Sequence, residues 1–551
     1  MQIFDFYNFV KFELISKIKN SRYSCRDYFV KNLFFIFSEM SSPTPPEVSH
    51  LPQKRGITIK IEDSGDEIIN PTVFPDEVDS SKLIAKATPA LILAIVVACF
   101  GSSFVFGYAI GETNVPGRHI QNWLMESHLE LTNSTSNPPT DFIWSSSVSA
   151  FAIGGMIGSM ISGILADKLG RKGCLYVNNI FGILGSILMF VAPFTIHYYL
   201  FHIGRCIIGL NVGISSSVVP MFLTELSPLK WRGAIGTLPQ LMVTISILVS
   251  QGVGLIFNDR DSFQWIFVVT VIPCIFQVIC LFFVMESPKY TLMIKGNQIK
   301  ALSDLSKLRA VAESDPIVRN ELKLISKEAE TYNSEPKIGI LSLFKTKFLW
   351  PIFLACFLQA AQQLTGINAA IFYSTQIFEH AGLSGNTAIY ATLGMGTANV
   401  MTTIVSFFLV EKLGRRTLLL TGKVGMLIAT VILIVSIRFE IYWLCIVMVV
   451  FFVISFAIGP GSIPFFYVSE LFASNARASA SALATATNWT CNFAVGLAFP
   501  PLQALLGEFV FLFFTVFLVI GIIVIVLWLP ETKGKSFEEV QKEMKKRKIG
   551  N

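Results

Sequence analysis

Charge is scarce in this chain. Asp, Glu, Lys and Arg supply 15% of its 551 residues, where a soluble domain carries roughly 25%. The patterns that bond-breaking chemistry needs are missing as well: no nucleophile–base pair, metal-ligand spacing or phosphate-binding glycine loop stands out. The nine cysteines lie mostly within apolar stretches. Their spacing suits neither a disulfide framework nor a zinc site, and they read as small core residues. Neither an enzyme activity nor a cofactor is expected. The net charge of +6 is not a nucleic-acid signal, because the basic residues are confined to particular loops.

What the chain has instead is apolar length. The mean hydropathy is +0.60. Twelve apolar runs lie at about 88–111, 141–166, 173–193, 198–223, 234–257, 263–285, 348–378, 386–410, 417–437, 441–467, 478–503 and 508–529. Runs of about 20 residues suffice to cross a hydrocarbon core. They must be helical, because a spanning segment has to satisfy its own backbone hydrogen bonds.

The runs fall into two sets of six, and the charged marks between them repeat. Gly163 to Lys172 read G-I-L-A-D-K-L-G-R-K, and Phe407 to Arg416 read F-F-L-V-E-K-L-G-R-R. Glu225 with Arg232 returns as Glu470 with Arg477, and Glu286 returns as Glu531. Parallel halves of this size are a signature of membrane transporters. The sequence therefore predicts an all-α membrane protein of twelve transmembrane helices, with halves at 88–285 and 348–529.

Arg171, Lys172, Lys230, Arg232, Lys289, Lys412, Arg415, Arg416, Arg477 and Lys533 flank loops on one side, against Arg118, Arg260 and Arg438 on the other. The positive-inside rule then places both termini and the insert 286–347 in the cytoplasm. The loop 112–140 falls outside and carries Asn133-Ser134-Thr135, an N-glycosylation sequon. A second match at Asn488 lies within a helix and should be inaccessible. Residues 1–87 read as a cytoplasmic extension, disordered over the Pro- and Ser-rich part. Met40 reads like a second start, which would make residues 1–39 an alternative extension. The insert should form short amphipathic helices, with Asp315 capping Pro316 and with Val318, Leu322 and Ile325 on one face. Residues 530–551 form a short basic tail.

Polar residues inside spans are costly and usually face a cavity or another helix. The richest stretch holds Gln359, Gln362, Gln363, Thr365, Asn368 and Tyr373, with Gly366 placed to break the helix. Amides both donate and accept, as each hydroxyl of a neutral polyol does. A carboxylate or a cation would call for charges that are not abundant at this depth. Gln240, Gln251, Asn399, Asn488 and Asn492 add further amides, for each of which helix–helix glue is the competing reading. Gly459-Pro460-Gly461 breaks the tenth span, and Phe465, Phe466 and Tyr467 follow it.

These residues carry a family resemblance over about 88–540. Gly107 to Gly111, Gly170-Arg171-Lys172, Gly204-Arg205, Pro220 to Gly233, Glu286-Ser287-Pro288, Gln362 to Asn368, Gly414-Arg415-Arg416, Gly459-Pro460-Gly461, Asn488-Trp489 and Pro530 to Gly534 occur in this order. The chain resembles the facilitative glucose transporters of the sugar porter family, within the major facilitator superfamily. The resemblance implies facilitated diffusion of a hexose, D-glucose first, by alternating access at the plasma membrane, with a monomer sufficient. It also implies that Gln240, Gln362, Gln363, Asn368, Asn399 and Asn492 contact the sugar, with Phe372 and Trp489 nearby. Arg171, Glu225, Arg232, Glu411, Arg415, Arg416, Glu470 and Arg477 would form a cytoplasmic charge clasp between helices and halves, and Arg205 joins the expected conformational charges.

Four positions depart from the family pattern. Phe465 replaces its Trp, Ala457 its Glu, Pro239 its His, and Gln359-Ala360-Ala361 its Gln-Leu-Ser, which leaves the hexose open, fructose included. Proton-coupled relatives place an Asp near the fourth-helix Arg; here that position is Ala109. Uniport is the reading this supports. Glu112, about one turn further on, is expected to be solvated at the external mouth. A proton–sugar symporter and a non-transporting sugar sensor are the rivals.

Overall fold

In a computed structural model of the chain, the described residues are 88–132, 140–228, 231–334, 338–345, 348–380, 382–383, 386–472, 474–535 and 537–549. Residues 1–87 and Asn133 lie outside them, as do the side chains of Arg232 and Glu411. Every regular element among the described residues is helical.

Helix α1 (Pro89–Gly111) starts where the Thr88 hydroxyl accepts from the Leu91 N–H at 3.2 Å and Pro89 fills the first turn. A π-helical bulge at Cys99–Ser103 interrupts it. A surface helix, α2 (Gly117–Thr132), follows. Helix α3 (Thr140–Val191) contains two spans joined at Gly170. The first half is completed by α4 (Tyr199–Leu226), α5 (Arg232–Ile256) and α6 (Trp265–Leu281).

The insert folds as α7 (Pro288–Met293), α8 (Gln298–Arg309) and α9 (Pro316–Ser334) around Ala301, Leu305, Val318 and Leu322. Asp315 Oδ1 accepts from the Ile317 N–H at 2.9 Å to start α9. The Arg309 fork holds Glu321 at 2.9 and 2.6 Å and donates to Leu226 O at 3.0 Å, tying the insert to the end of α4.

The seventh span is not one rod. It consists of α10 (Leu349–Gln363), α11 (Ile367–Phe372) and α12 (Ser374–His380). Gly366 turns the chain between α10 and α11 at a φ of +86°, against the ring of Phe514. Then come α13 (Asn386–Leu413), α14 (Arg415–Arg438), α15 (Tyr442–Ile458), α16 (Ile463–Leu471), α17 (Ser474–Leu506) and α18 (Val510–Trp528). The tenth span is α15 plus α16, broken at Gly459 to Gly461. With α3 divided at Gly170, these helices make twelve passes. A final helix, α19 (Phe537–Ile549), packs Val540 and Met544 into the core of the second half.

The outer belt of the bundle is apolar. Ile256, Ile272, Ile279, Phe282, Phe283 and Val516 are all more than half exposed, an arrangement suited to lipid and not to water. The inside is polar by comparison, because the amides, Arg205 and Lys423 are buried there. Glu112 is likewise a charged residue buried inside the bundle.

Candidate substrate site and its elbows

The amides of the seventh span converge. Gln362 Nε2 donates to Pro460 O and Gly461 O, both at 2.8 Å. The break in the tenth span exposes those carbonyls, and the glutamine satisfies them. Gln362 Oε1 accepts from Asn488 Nδ2 at 2.7 Å, and the same nitrogen reaches Gln359 Oε1 at 2.8 Å. Gln363 Nε2 donates to Asn488 Oδ1 at 2.9 Å, and Asn368 donates to Gln363 Oε1. Gln359, Gln362, Gln363, Asn368 and Asn488 thus form one neutral network across α10, α11 and α17, each at most 7% exposed.

The other expected sugar residues are placed differently. Gln240 lines a small hollow, apart from the network, with Thr237, Thr403, Ser406, Phe407 and Ser462. Asn399 and Asn492 are buried but stand outside the bonded network. Phe372 is buried against Tyr373, and Phe465 is half-buried. Trp489 packs on Phe106 and Phe151, and its buried Nε1–H has no acceptor among the described residues. Gln251 is fully buried, and neither of its amide atoms has a partner among the described residues. Among the described residues no cluster of His, Cys, Asp and Glu could hold a metal.

Sequence reasoning left Asn488 among residues that could equally be helix glue. It is the hub that joins three glutamines. The only signal was its position beside Trp489.

The repeated Gly-Arg motifs form two matching elbows. Gly170 and Gly414 sit at φ +83° and +90°, where an L side chain is strained. A Cβ on Gly170 would lie 2.3 Å from Glu286 Oε2, and one on Gly414 2.8 Å from Glu531 Oε2. Each carboxylate caps the next helix: Glu286 accepts from the Arg171 and Lys172 N–H groups (3.1 and 3.2 Å), Glu531 from those of Arg415 and Arg416 (both 2.9 Å). The Arg171 fork grips Glu225 at 3.0 and 2.9 Å; Arg415 grips Glu470 more loosely, at 3.4 and 3.3 Å. Ser287 and Thr532 add a hydroxyl to each acid at 2.5 Å. Burial raises the Glu286 carboxyl above its ordinary value, and the N–H groups facing it oppose that rise. The Arg416 guanidinium caps Ile525 O and Val526 O (3.3 and 2.7 Å), and Arg477 donates to Phe472 O at 3.4 Å.

The described bonds of Arg171 with Glu225 and of Arg415 with Glu470 run between helices of one half. The reason is that each acid lies at the end of a helix packed beside its own elbow. Arg205 is not part of this clasp. It lies fully buried towards the opposite end, where it donates to Glu112 Oε1 at 3.1 Å and Ala109 O at 2.8 Å and packs on the Phe151 ring. One expectation needs correction: Glu112, expected in solvent, is fully buried and also accepts from Thr270 at 3.4 Å. The pair is internal because α1 continues to Gly111 and carries Glu112 onto the α4 face.

At that opposite end the halves are latched. Asn114 Nδ2 donates to Ile371 O at 2.5 Å and Ser374 Oγ at 2.6 Å, and Arg118 pairs with Glu379 at 2.8 Å.

Comparison with known proteins places this geometry. A family model described as "Sugar (and other) transporter" matches residues 94–544. Facilitated glucose transporter protein 1 of Caenorhabditis elegans is 43% identical over 488 residues, covering 86% of this chain and 93% of that protein. Solute carrier family 2, facilitated glucose transporter member 5 of Equus caballus is 38% identical, covering 84% and 94%. Among solved structures, the proton:xylose symporter XylE bound to 6-bromo-6-deoxy-D-glucose superposes with a TM-score of 0.71 at 22% identity, over 83% of this chain and 99% of that one. The inward-open form of XylE from E. coli superposes at 0.65. The fold is that of the major facilitator superfamily. Matched across most of its length by both the family model and its relatives, the chain belongs to the sugar transporter family and is a multi-pass membrane transporter, not an enzyme.

Proposed function

We propose that this protein carries a hexose, D-glucose first, down its gradient by alternating access. The observation that carries the reading is the buried, uncharged network of Gln359, Gln362, Gln363, Asn368 and Asn488, built where the seventh and tenth spans both break. Amide groups at such breaks offer both donors and acceptors, as each hydroxyl of a sugar requires, and the network itself holds no formal charge. The unpartnered Trp489 N–H supports a hydroxylated guest. The names of the relatives, facilitated glucose transporters at 43% and 38% identity, support the same substrate class.

In this reading Gln362, Gln363, Asn368, Asn399 and Asn492 meet the sugar, with Phe372, Phe465 and Trp489 closing around its ring. Gln240, beside the small hollow on α5 and α13, is the remaining expected sugar contact. The elbows, with Arg232, Glu411 and Arg477, hold each half rigid while the halves rock. The plasma membrane is the site of action, both termini are cytoplasmic, and Asn133 carries a glycan. The test is uptake of labelled D-glucose, D-fructose and D-galactose by the purified protein in liposomes, each with and without a proton gradient. Saturable D-glucose flux indifferent to the gradient is expected; absence of any hexose flux overturns the reading.

One observation favours a second reading, proton-coupled symport: the fully buried Glu112–Arg205 pair, one turn beyond Ala109. A carboxylate sealed beside an arginine is a place where a proton can be held. If an inward proton gradient drives accumulation, and Glu112→Gln abolishes it, symport replaces uniport.

A further inference from the structure

Lys423 is a fully buried cation within the spans that the site described above leaves unused. It lies on α14, 1% exposed, and makes no ion pair among the described residues. Among the described residues its side chain makes one hydrogen bond, from Nζ to Ala361 O on α10 at 2.9 Å. Burying an ammonium is costly, so what that bond does matters.

The last turn of α10 supplies the answer. A helix end leaves four carbonyls without intrahelical partners. Here three are satisfied locally: Ala360 O by the Leu364 N–H at 2.9 Å, Gln362 O by the Thr365 hydroxyl at 2.7 Å, and Gln363 O by the Gly366 N–H at 3.1 Å. Ala361 O is the fourth, and its donor is Lys423. A positive charge at a helix C-terminus also opposes the helix dipole. Room for the lysine stem comes from α18, where a Cβ on Gly521 would already lie 3.4 Å from Lys423 Cδ, Cε and Nζ.

The first half meets the same need with other residues. Lys423 is the ninth residue after Gly414, and the ninth after Gly170 is Asn179. Asn179 donates to Gln277 Oε1 at 2.8 Å, and Gln277 Nε2 donates to Val97 O beside the α1 bulge at 2.9 Å. In the second half a side chain from the helix after the elbow bonds the irregular backbone of the first span directly; in the first half Asn179 does so through Gln277 of α6. Only in the second half does that span carry the sugar amides.

We propose that Lys423 is a positioning residue of the carrier site, completing the cap of α10 and so fixing Gln362 and Gln363, the two residues that follow Ala361. The inference rests on the hexose reading. The test is zero-trans uptake of labelled D-glucose by wild-type, Lys423→Met and Lys423→Arg proteins in liposomes, normalised to inserted protein. Losing a charged hydrogen bond that orients the site should raise KM about tenfold in Lys423→Met. The maximal rate should hold within about twofold, and Lys423→Arg should recover most of the affinity. A merely structural lysine would lower the amount of protein or the maximal rate and leave KM alone; that result overturns the proposal, as does an unshifted KM. Should Lys423→Met fail to insert, Gly521→Leu, which crowds the lysine stem, decides in its place: a raised KM supports the proposal and a wild-type KM overturns it. A wild-type protein that moves no D-glucose overturns the hexose reading and this inference with it.

Discussion

Replacing Asn488 with Ala removes the hub of the amide network. Gln359 and Gln362 each lose the hydrogen bond they accept from Asn488 Nδ2, at 2.8 and 2.7 Å, and Gln363 loses the acceptor of its Nε2–H at 2.9 Å. Gln362 keeps Pro460 O and Gly461 O, and Gln363 keeps Asn368. Gln359 is left with one longer contact, 3.3 Å to Pro464 O. Two glutamines, Gln359 and Gln363, therefore gain freedom that has to be lost again when the site orders around a sugar, Gln363 as a contact and Gln359 one helical turn behind it. Ordering one such side chain costs about 0.5–1.5 kcal/mol. For two the sum is about 1–3 kcal/mol, a loss in affinity of about 5- to 150-fold. Equilibrium binding of D-glucose to purified Asn488→Ala protein, with zero-trans uptake alongside, measures it. A wild-type KM and Kd in a well-inserted Asn488→Ala protein would refute the argument that this network prearranges the site.

Glu112→Gln should leave Arg205 charged and unpaired at full burial, lowering stability by about 3–5 kcal/mol; the unfolding midpoint in detergent reads it, and an unshifted midpoint refutes the pairing. Gly170→Ala or Gly414→Ala should cost at least about 1–2 kcal/mol from the left-handed backbone alone, with the approach to Glu286 or Glu531 added, and equal thermal stability in either variant would show that the elbow tolerates a side chain. At the opposite end, Asn114→Ala removes two buried donor contacts of 2.5 and 2.6 Å and should raise labelling of a cysteine placed at position 371 by a membrane-impermeant reagent. Arg118→Ala, whose arginine is 69% exposed, should change that labelling little, since screened surface pairs contribute about 0–1 kcal/mol; the reverse order would contradict the assignment of the latch.

The twelve-pass fold was legible because a hydrocarbon core imposes a length on every span, and because the elbows repeat in sequence. The breaks were legible for a similar reason: Gly366 and Gly459 to Gly461 are residues that a continuous helix disfavours. Partnership was not legible. Asn488 and Asn492 lie one helical turn apart and look alike in sequence, yet only Asn488 reaches the glutamines. Glu112 follows the end of α1, and nothing local says that Arg205 and Thr270, 93 and 158 residues away, will close over it. Lys423 lies nine residues past an elbow within an otherwise apolar stretch; its use depends on a carbonyl freed by a break on another helix.

The division of the seventh span into α10, α11 and α12 has a mechanical consequence. A single rod can only tilt as a whole, so any movement at its mouth disturbs its depths. Three jointed pieces separate those motions: α12 can swing aside while α10, with its glutamines, stays still. Entry and exit of cargo can then be adjusted by evolution at the joint, in the stretch from Tyr373 to His380, without retuning how tightly the cargo is held.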